Sequence, residues 1–92
     1  MSERKRRIRE SNLKHVEYVG YKIEPPLNNE IPLWCLKRPT GQILKHYKHQ
    51  ARAITGALID IQRAAKRHET HGDLNAHWQR YIKRFKEYDP EA

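Results

Sequence analysis

The chain has 92 residues, 37% of them hydrophobic, and carries a net charge of +8 at pH 7 with a pI near 9.9. This length predicts one domain with a single small core, and the charge predicts a polyanionic partner: nucleic acid, an acidic protein surface or an anionic membrane. No apolar run is long enough for a membrane span, and the single cysteine, Cys35, excludes an internal disulfide and suits a reducing, cytoplasmic compartment.

The first twelve residues form a basic block in which Ile8 is the one apolar side chain after the initial methionine. Such a block repels itself, so we interpret residues 1–12 as a flexible arm and residues 13–92 as a single small α+β domain. The arm either binds phosphates with release of counterions or is a solvated tail. The candidate arm residues are Arg4, Lys5, Arg6, Arg7 and Arg9.

Leu13 to Glu24 is predicted to be a β-strand, because the segment is rich in β-branched and aromatic residues. The alternation of apolar positions changes phase at Gly20, which we interpret as a bulge or bend. The residues that indicate the strand are Val16, Tyr18, Val19, Tyr21 and Ile23.

A proline-rich loop is expected from Glu24 to Pro32. Adjacent prolines cannot donate to a sheet, and Asn-Asn favours turns. The loop is too long for a tight hairpin, so it is either a projecting recognition element or a passive connection. The candidate partner-binding residues are Pro25, Pro26, Leu27, Asn28 and Asn29.

Residues 31–47 predict a β-hairpin. Arg38-Pro39-Thr40-Gly41 has the proline and glycine positions of a type I turn, between the apolar run Leu33–Leu36 and the returning run Gln42–Tyr47. With the preceding strand, the hairpin would complete a three-stranded antiparallel sheet. The turn would place Lys37 and Arg38 at an exposed tip.

Residues 48–67 predict an amphipathic helix with two contrasting faces. Gly56 interrupts it near the basic face, where either a partner approaches closely or the glycine is simply tolerated. The apolar stripe contains Ala51, Ile54, Leu58, Ile61 and Ala65; the basic side contains Lys48, Arg52, Arg63 and Lys66, with Arg67 at its edge.

A second helix is expected after Gly72 as the C-terminal cap and Asp73 as the N-cap. The short connection predicts an antiparallel two-helix hairpin. The apolar stripe contains Leu74, Trp78, Tyr81, Ile82, Phe85 and Tyr88, and the cations that add to the basic face are Arg80, Lys83 and Arg84. The predicted fold is therefore α+β: an N-terminal antiparallel sheet of about three strands, then a helical hairpin.

Several side chains raise the question of chemistry. The pairs His46/His49 and His68/His71 are each three residues apart, but the sequence has no Cys-x2-Cys pair and no zincin spacing. It also contains no phosphate loop, nucleophile elbow or spaced carboxylate pair. We therefore predict no metal site, no cofactor and no enzymatic activity. Tyr18, Tyr21 and Trp34 could stack on bases, although a core this small needs its aromatic residues inside.

In overall build the chain resembles small early proteins of phages and plasmids that bind host nucleic-acid machines, such as the RecBCD nuclease-helicase and CRISPR effector complexes. The resemblance lies in size and composition: the basic block Arg4–Arg9, the loop Pro25–Pro32 and the basic helices. It implies a non-enzymatic modulator of a host nucleic-acid-processing complex and assigns no residue roles. The alternative is direct binding of DNA or RNA through the basic helix and the arm.

Overall fold

The computed structural model describes residues 3–28, 30–71 and 76–90. It has three helices and one three-stranded antiparallel sheet with strand order β1-β2-β3. The predicted α+β class and sheet are confirmed, but a helix precedes the sheet. The elements are α1 (Glu3–Val19), β1 (Lys22–Glu24), β2 (Trp34–Lys37), β3 (Ile43–Tyr47), α2 (Gln50–His71) and α3 (Ala76–Glu87).

Helix α1 occupies most of the segment that was predicted to be a strand, so that prediction was wrong from Leu13 to Val19. Leu13, Val16 and Val19 recur every three residues, and this period also fits a helix. Val16 and Val19 are fully buried in the core, so packing of the helical face outweighs the β-propensity of their side chains. Residues 3–12 are the first turns of this helix; their flexibility in the free protein stays a prediction.

Gly20 ends helix α1 and does not form a bulge in a strand. Its φ is +124°, and the N–H groups of Gly20 and Tyr21 both donate to the Val16 carbonyl, at 3.2 and 3.0 Å. This is the usual glycine cap of a helix C-terminus, where a side chain would be strained. A Cβ at Gly20 would also lie 3.0 Å from Pro39, so the end of α1 sits directly against the β2–β3 turn.

The predicted hairpin is confirmed in β2 and β3. The Gly41 N–H donates to the Arg38 carbonyl at 2.8 Å, as expected for a type I turn, and Gly41 follows with a φ of +93°. A type I turn followed by a left-handed glycine matches the twist of the two strands. Strand β1 pairs antiparallel with β2 on the other side but contains only Lys22–Glu24.

Helix α2 packs on the inner face of the sheet through very small residues. Ala53 and Ala57 are fully buried, and a Cβ on Gly56 would collide with the ring and hydroxyl of Tyr47. The sheet itself therefore closes the space beside Gly56, which leaves no room there for a partner. Ala51, predicted to be in the apolar stripe, is exposed, because the buried face turns towards the alanines that meet the sheet.

Helix α3 packs against α1 as well as α2, so the predicted two-helix hairpin is only partly correct, because the N-terminal helix joins it. The His15 ring of α1 stacks on Phe85 and Tyr88 with centroid distances of 4.3 and 4.6 Å, and its Nε2–H donates to the Phe85 carbonyl at 2.8 Å. Ile82 is buried and Phe85 half-buried, as predicted. The predicted caps Gly72 and Asp73, with Leu74, lie outside the described residues, as does Asn29 of the loop.

Candidate functional site

The sequence predicted that Arg38 lies at an exposed hairpin tip. In the structure its side chain instead turns back onto α2. Its Nη2 and Nε donate to the two carboxylate oxygens of Asp60 at 2.8 and 3.1 Å, and its Nη1 donates to Gln42 Oε1 at 3.1 Å. The guanidinium carbon also lies 5.7 Å from the Trp78 ring centroid. Paired geometry of this kind strongly orients an arginine, so Arg38 is a structural cation.

Asp60 accepts a third hydrogen bond, from the hydroxyl of Tyr21 at 2.6 Å. Tyr21 is almost fully buried, and burial, the hydrogen bond to Asp60 and its negative charge raise the pKa of Tyr21 well above its ordinary value. The hydrogen bond to Asp60 also raises the pKa of Arg38. One carboxylate therefore joins α2 to the chain before β1 and to the β2–β3 turn.

Lys37 lies on the outer face of the sheet, because its neighbour Leu36 points to the helices and side chains alternate along a strand. Its Nζ is 2.6 Å from Glu24 Oε1 on β1. This contact raises the pKa of Lys37 and lowers the pKa of Glu24. The structure therefore does not join Lys37 to the cations of α2. Arg38, by contrast, lies beside Arg63 and Arg67 of α2 while it is bound to Asp60.

Five exposed cations, which we call the α2 stripe, lie on α2 and on the segment just before it. Among the described residues, none of their side chains makes an ion pair or a hydrogen bond. The acids of α2 are engaged elsewhere: Asp60 by Arg38, and Glu69 by Lys86 at 3.6 Å. The helical part of the stripe extends about 22 Å. Its members are Lys48, Arg52, Arg63, Lys66 and Arg67.

Part of the predicted arm lies beside the N-terminal end of the α2 stripe. A groove of about 390 Å³ runs between the first half of α1 and the start of α2. The structure thus brings Lys5 and Arg9 to the same end of the molecule as Arg52, which the sequence did not predict. Arg4, Arg6 and Arg7 are exposed on α1. The groove is lined by Lys5, Ile8, Arg9, Asn12, Ala51, Ile54 and Thr55.

A second cleft, of about 210 Å³, lies where the β2–β3 turn, α2 and α3 meet. We call it the arginine cleft. Arg63 and Arg67 contribute two guanidinium groups one helical turn apart, and Trp78 forms a wall. No sequence signal links these residues, because they come from three separate elements. The cleft is lined by Arg38, Asp60, Arg63, Ala64, Arg67 and Trp78.

The loop and the outer face of the sheet form an apolar surface, which we call the outer-sheet patch. Leu27, Ile31 and Ile43 are 94%, 60% and 53% exposed and line a groove of about 280 Å³ with Leu33 and Cys35. The predicted partner loop contributes Pro25, Leu27 and Asn28 to this groove, whereas Pro26 is half-buried outside it.

The shape of the loop beside this patch is held by one side chain. Asn28 Oδ1 accepts hydrogen bonds from the backbone N–H groups of Glu30 and Ile31, both at 3.0 Å. An asparagine that bonds the backbone a few residues on stabilises a turn. These bonds fix the turn between Leu27 and Ile31, the two exposed apolar residues that the loop contributes to the groove.

The remaining candidate residues do not form a site in the part of the chain that the structure describes. Tyr21 is buried and Trp34 half-buried, while Tyr18 is 48% exposed beside Tyr88. No group of three or more His, Cys, Asp or Glu residues is placed to hold a metal there. The α3 cations Arg80, Lys83 and Arg84 are exposed and line none of the three grooves described above.

The chain matches no protein-family model, no curated protein and no solved structure. Within the described residues, no helix combines the length and the apolar character needed to cross a membrane.

Replacing Asp60 by alanine is expected to lower the free energy of unfolding by about 2–3 kcal/mol, because the change leaves Arg38 and the Tyr21 hydroxyl without their acceptor. Urea unfolding measures this loss. The matched control is Glu69→Ala, which removes an exposed ion pair with Lys86 and should cost less than about 1 kcal/mol. Equal losses in the two variants would contradict a central role for Asp60.

Replacing Tyr21 by phenylalanine is expected to cost about 1–2 kcal/mol at neutral pH, because a buried hydrogen bond is lost. The folded pKa of Tyr21 lies above its ordinary value of 10.0, so wild type releases a proton on unfolding above that pH and loses stability as the pH rises. The variant lacks this ionisation. The stability gap between the two proteins should therefore narrow above about pH 10, by up to about 1.4 kcal/mol per pH unit. Urea unfolding from about pH 8 to about pH 11 tests this, and a constant gap would contradict it.

Proposed function

We propose that this protein is a non-enzymatic nucleic-acid-binding protein and that the α2 stripe contacts the phosphate backbone. One observation carries the proposal: five exposed cations, four on α2 and Lys48 just before it, have no ion-pair partner among the described residues. A cation that is already paired gains little from a phosphate, whereas an unpaired one releases condensed counterions when it binds. The α2 stripe therefore favours a polyanion with regularly spaced charges.

The neighbourhood of the α2 stripe supports the same proposal. Arg9 of α1 lies across the groove from the first turns of α2, so the positive surface extends over two helices. Asp60 is an acid on the same helix, but its carboxylate is hydrogen-bonded to Arg38 and Tyr21 and makes no ion pair with the α2 stripe. The long side chains of the α2 stripe suit phosphate contacts, which position a protein on nucleic acid without reading its sequence.

The test compares wild type with the triple variant Lys48→Gln, Arg52→Gln and Lys66→Gln. Fluorescence anisotropy measures binding to duplex DNA, duplex RNA and single strands at two salt concentrations. We expect affinity to fall steeply with salt in wild type, and the slope of log K against log salt to decrease by about 2–3 in the variant. The three side chains are exposed, so unfolding free energy should change by less than about 0.5 kcal/mol for each.

The matched control removes three charges away from the α2 stripe: Lys14→Gln, Lys22→Gln and Lys45→Gln, all exposed. It should keep most of the wild-type slope. Equal loss in both triple variants would show that net charge alone decides binding. Absence of measurable binding to any nucleic acid near 50 mM salt would exclude direct binding.

A second candidate function is modulation or inhibition of a nucleic-acid-processing enzyme complex by direct binding to one of its proteins. The outer-sheet patch favours it, because Leu27 is 94% exposed and neighbours Ile31 and Ile43 on one surface. Contiguous exposed apolar side chains are typical of protein interaction sites, and phosphates do not cover them. The only ion pair at this patch joins Lys37 to Glu24, within the described residues, so its charges are balanced.

Capture from a nuclease-treated bacterial lysate tests the second function. Wild type should retain a defined set of proteins that the variant Leu27→Asp with Ile31→Asp does not retain. The control, Ile59→Asp, changes an exposed isoleucine on α2 and should retain the same set as wild type. If nuclease treatment removes every captured protein, the modulator function is excluded. If both variants retain the set, the outer-sheet patch is excluded as the surface that binds it.

A further inference from the structure

We propose that the arginine cleft is a binding site for a phosphate group. This inference deepens the proposed function, because it rests on the same side of α2 and names one specific contact point within it. The cleft differs from the rest of the α2 stripe in two ways. It is partly enclosed. Its arginines come from two elements, the β2–β3 turn and α2, which the hydrogen bonds between Arg38 and Asp60 hold together.

The shape of the cleft follows from its small and flat side chains. Ala64 is buried and leaves free space where a larger residue would fill the junction of the three elements. Trp78 provides an apolar wall and contacts Tyr81 edge-on with a centroid distance of 5.8 Å. The resulting volume of about 210 Å³ is open to solvent on one side and accepts an oxyanion.

The charge of the cleft favours an anion. Three guanidinium groups face one carboxylate, that of Asp60. Asp60 Oδ1 accepts from Arg38, and Oδ2 accepts from both Arg38 and Tyr21, so its negative charge is compensated within the fold. The remaining positive charge belongs to Arg63 and Arg67. An oxyanion in the cleft therefore meets two uncompensated cations.

Arg63 and Arg67 are the groups that would hold the phosphate. They lie four residues apart on α2, where like charges repel, and neither side chain has a partner among the described residues. A bound oxyanion removes this repulsion. The planar fork of an arginine matches two oxygens of a phosphate, which gives the site a preference for phosphate over a spherical anion such as chloride.

Arg38 gives the cleft a fixed side. Its Nε, Nη1 and Nη2 each donate one hydrogen bond, to Asp60 or Gln42, which leaves two of its five N–H donors for a ligand. Since the guanidinium is already oriented, the conformational entropy lost on binding is smaller than for a free arginine. The site is in this respect preorganised before any phosphate arrives.

Inorganic phosphate is the first probe. Titration followed by the arginine Nε–Hε resonances in NMR, with calorimetry for affinity, should give saturable binding in wild type. The variant Arg63→Gln with Arg67→Gln should bind at least about tenfold more weakly. The control, Arg80→Gln with Arg84→Gln, removes two arginines at the same spacing from α3 and should change affinity less than about twofold. A charge-retaining variant, Arg63→Lys with Arg67→Lys, should also weaken binding, because it loses the planar forks.

Two duplexes of one sequence, with and without 5′-phosphates, identify the source of the phosphate. If the cleft binds the terminal 5′-phosphate, the phosphorylated duplex should bind more tightly than the unphosphorylated one. This difference in affinity should disappear in the variant Arg63→Gln with Arg67→Gln. If the cleft binds a phosphate within the backbone, both duplexes should bind equally. That variant should then weaken their binding more than the α3 control does. Saturable binding of inorganic phosphate without binding of either duplex supports the cleft and excludes the proposed function.

A different result would overturn the phosphate site but keep the proposed nucleic-acid binding. Duplex binding that the cleft variant and the α3 control weaken equally, with no saturable binding of inorganic phosphate, overturns the phosphate site and leaves the proposed function in place. Circular dichroism and urea unfolding of each variant verify that the fold is intact. Arg63 and Arg67 are exposed, so we expect both to be replaceable without loss of structure.

Discussion

The carboxylate of Asp60 is the interaction on which the arrangement of this protein depends. It binds Arg38 from the β2–β3 turn and Tyr21 from the end of the α1–β1 connection, while its own backbone belongs to α2. Three distant parts of the chain therefore meet at one charged group next to the core. A largely buried charge is stable only when its hydrogen-bonding capacity is used, and here both oxygens are used. This contact holds the β2–β3 turn and the start of the β1 segment against α2.

The same contact separates the two kinds of positive charge on the molecule. Arg38 is neutralised inside the fold by Asp60, whereas the α2 stripe makes no ion pair among the described residues and stays available to a partner. Small residues reinforce the separation: Ala53, Gly56 and Ala57 bring the helix backbone close to the sheet, so the long side chains of α2 point to solvent. The helical side of the protein is thus cationic, and the outer-sheet patch on the opposite face is apolar with balanced charges. The two candidate functions use different surfaces and are compatible with each other.

Local sequence patterns predicted a substantial part of this structure. The turn at Arg38–Gly41 was correct because proline and glycine restrict the backbone locally, and α2 was correct because its apolar period is long. The segment before Gly20 was predicted wrongly. Its residues fit a strand by propensity and a helix by spacing, and only burial of Val16 and Val19 against α2 and α3 decides between them. The sequence singled out Gly20, but whether it is a bulge in a strand or the cap of a helix depended on the structure of the segment before it.

The sequence by itself determined the composition of the cationic surface: the exposed Lys and Arg residues of α2 were identified from their spacing alone. Only the tertiary structure decided which of the predicted cations are available. Arg38 and Asp60 are 22 residues apart in the chain, so no local pattern could pair them, and the arginine cleft exists only because the turn, α2 and α3 converge. The side chain of Lys37 points away from α2 because strand register places it on the outer face. Helical spacing assigns side chains to faces of one helix, but contacts between elements depend on how the whole chain packs.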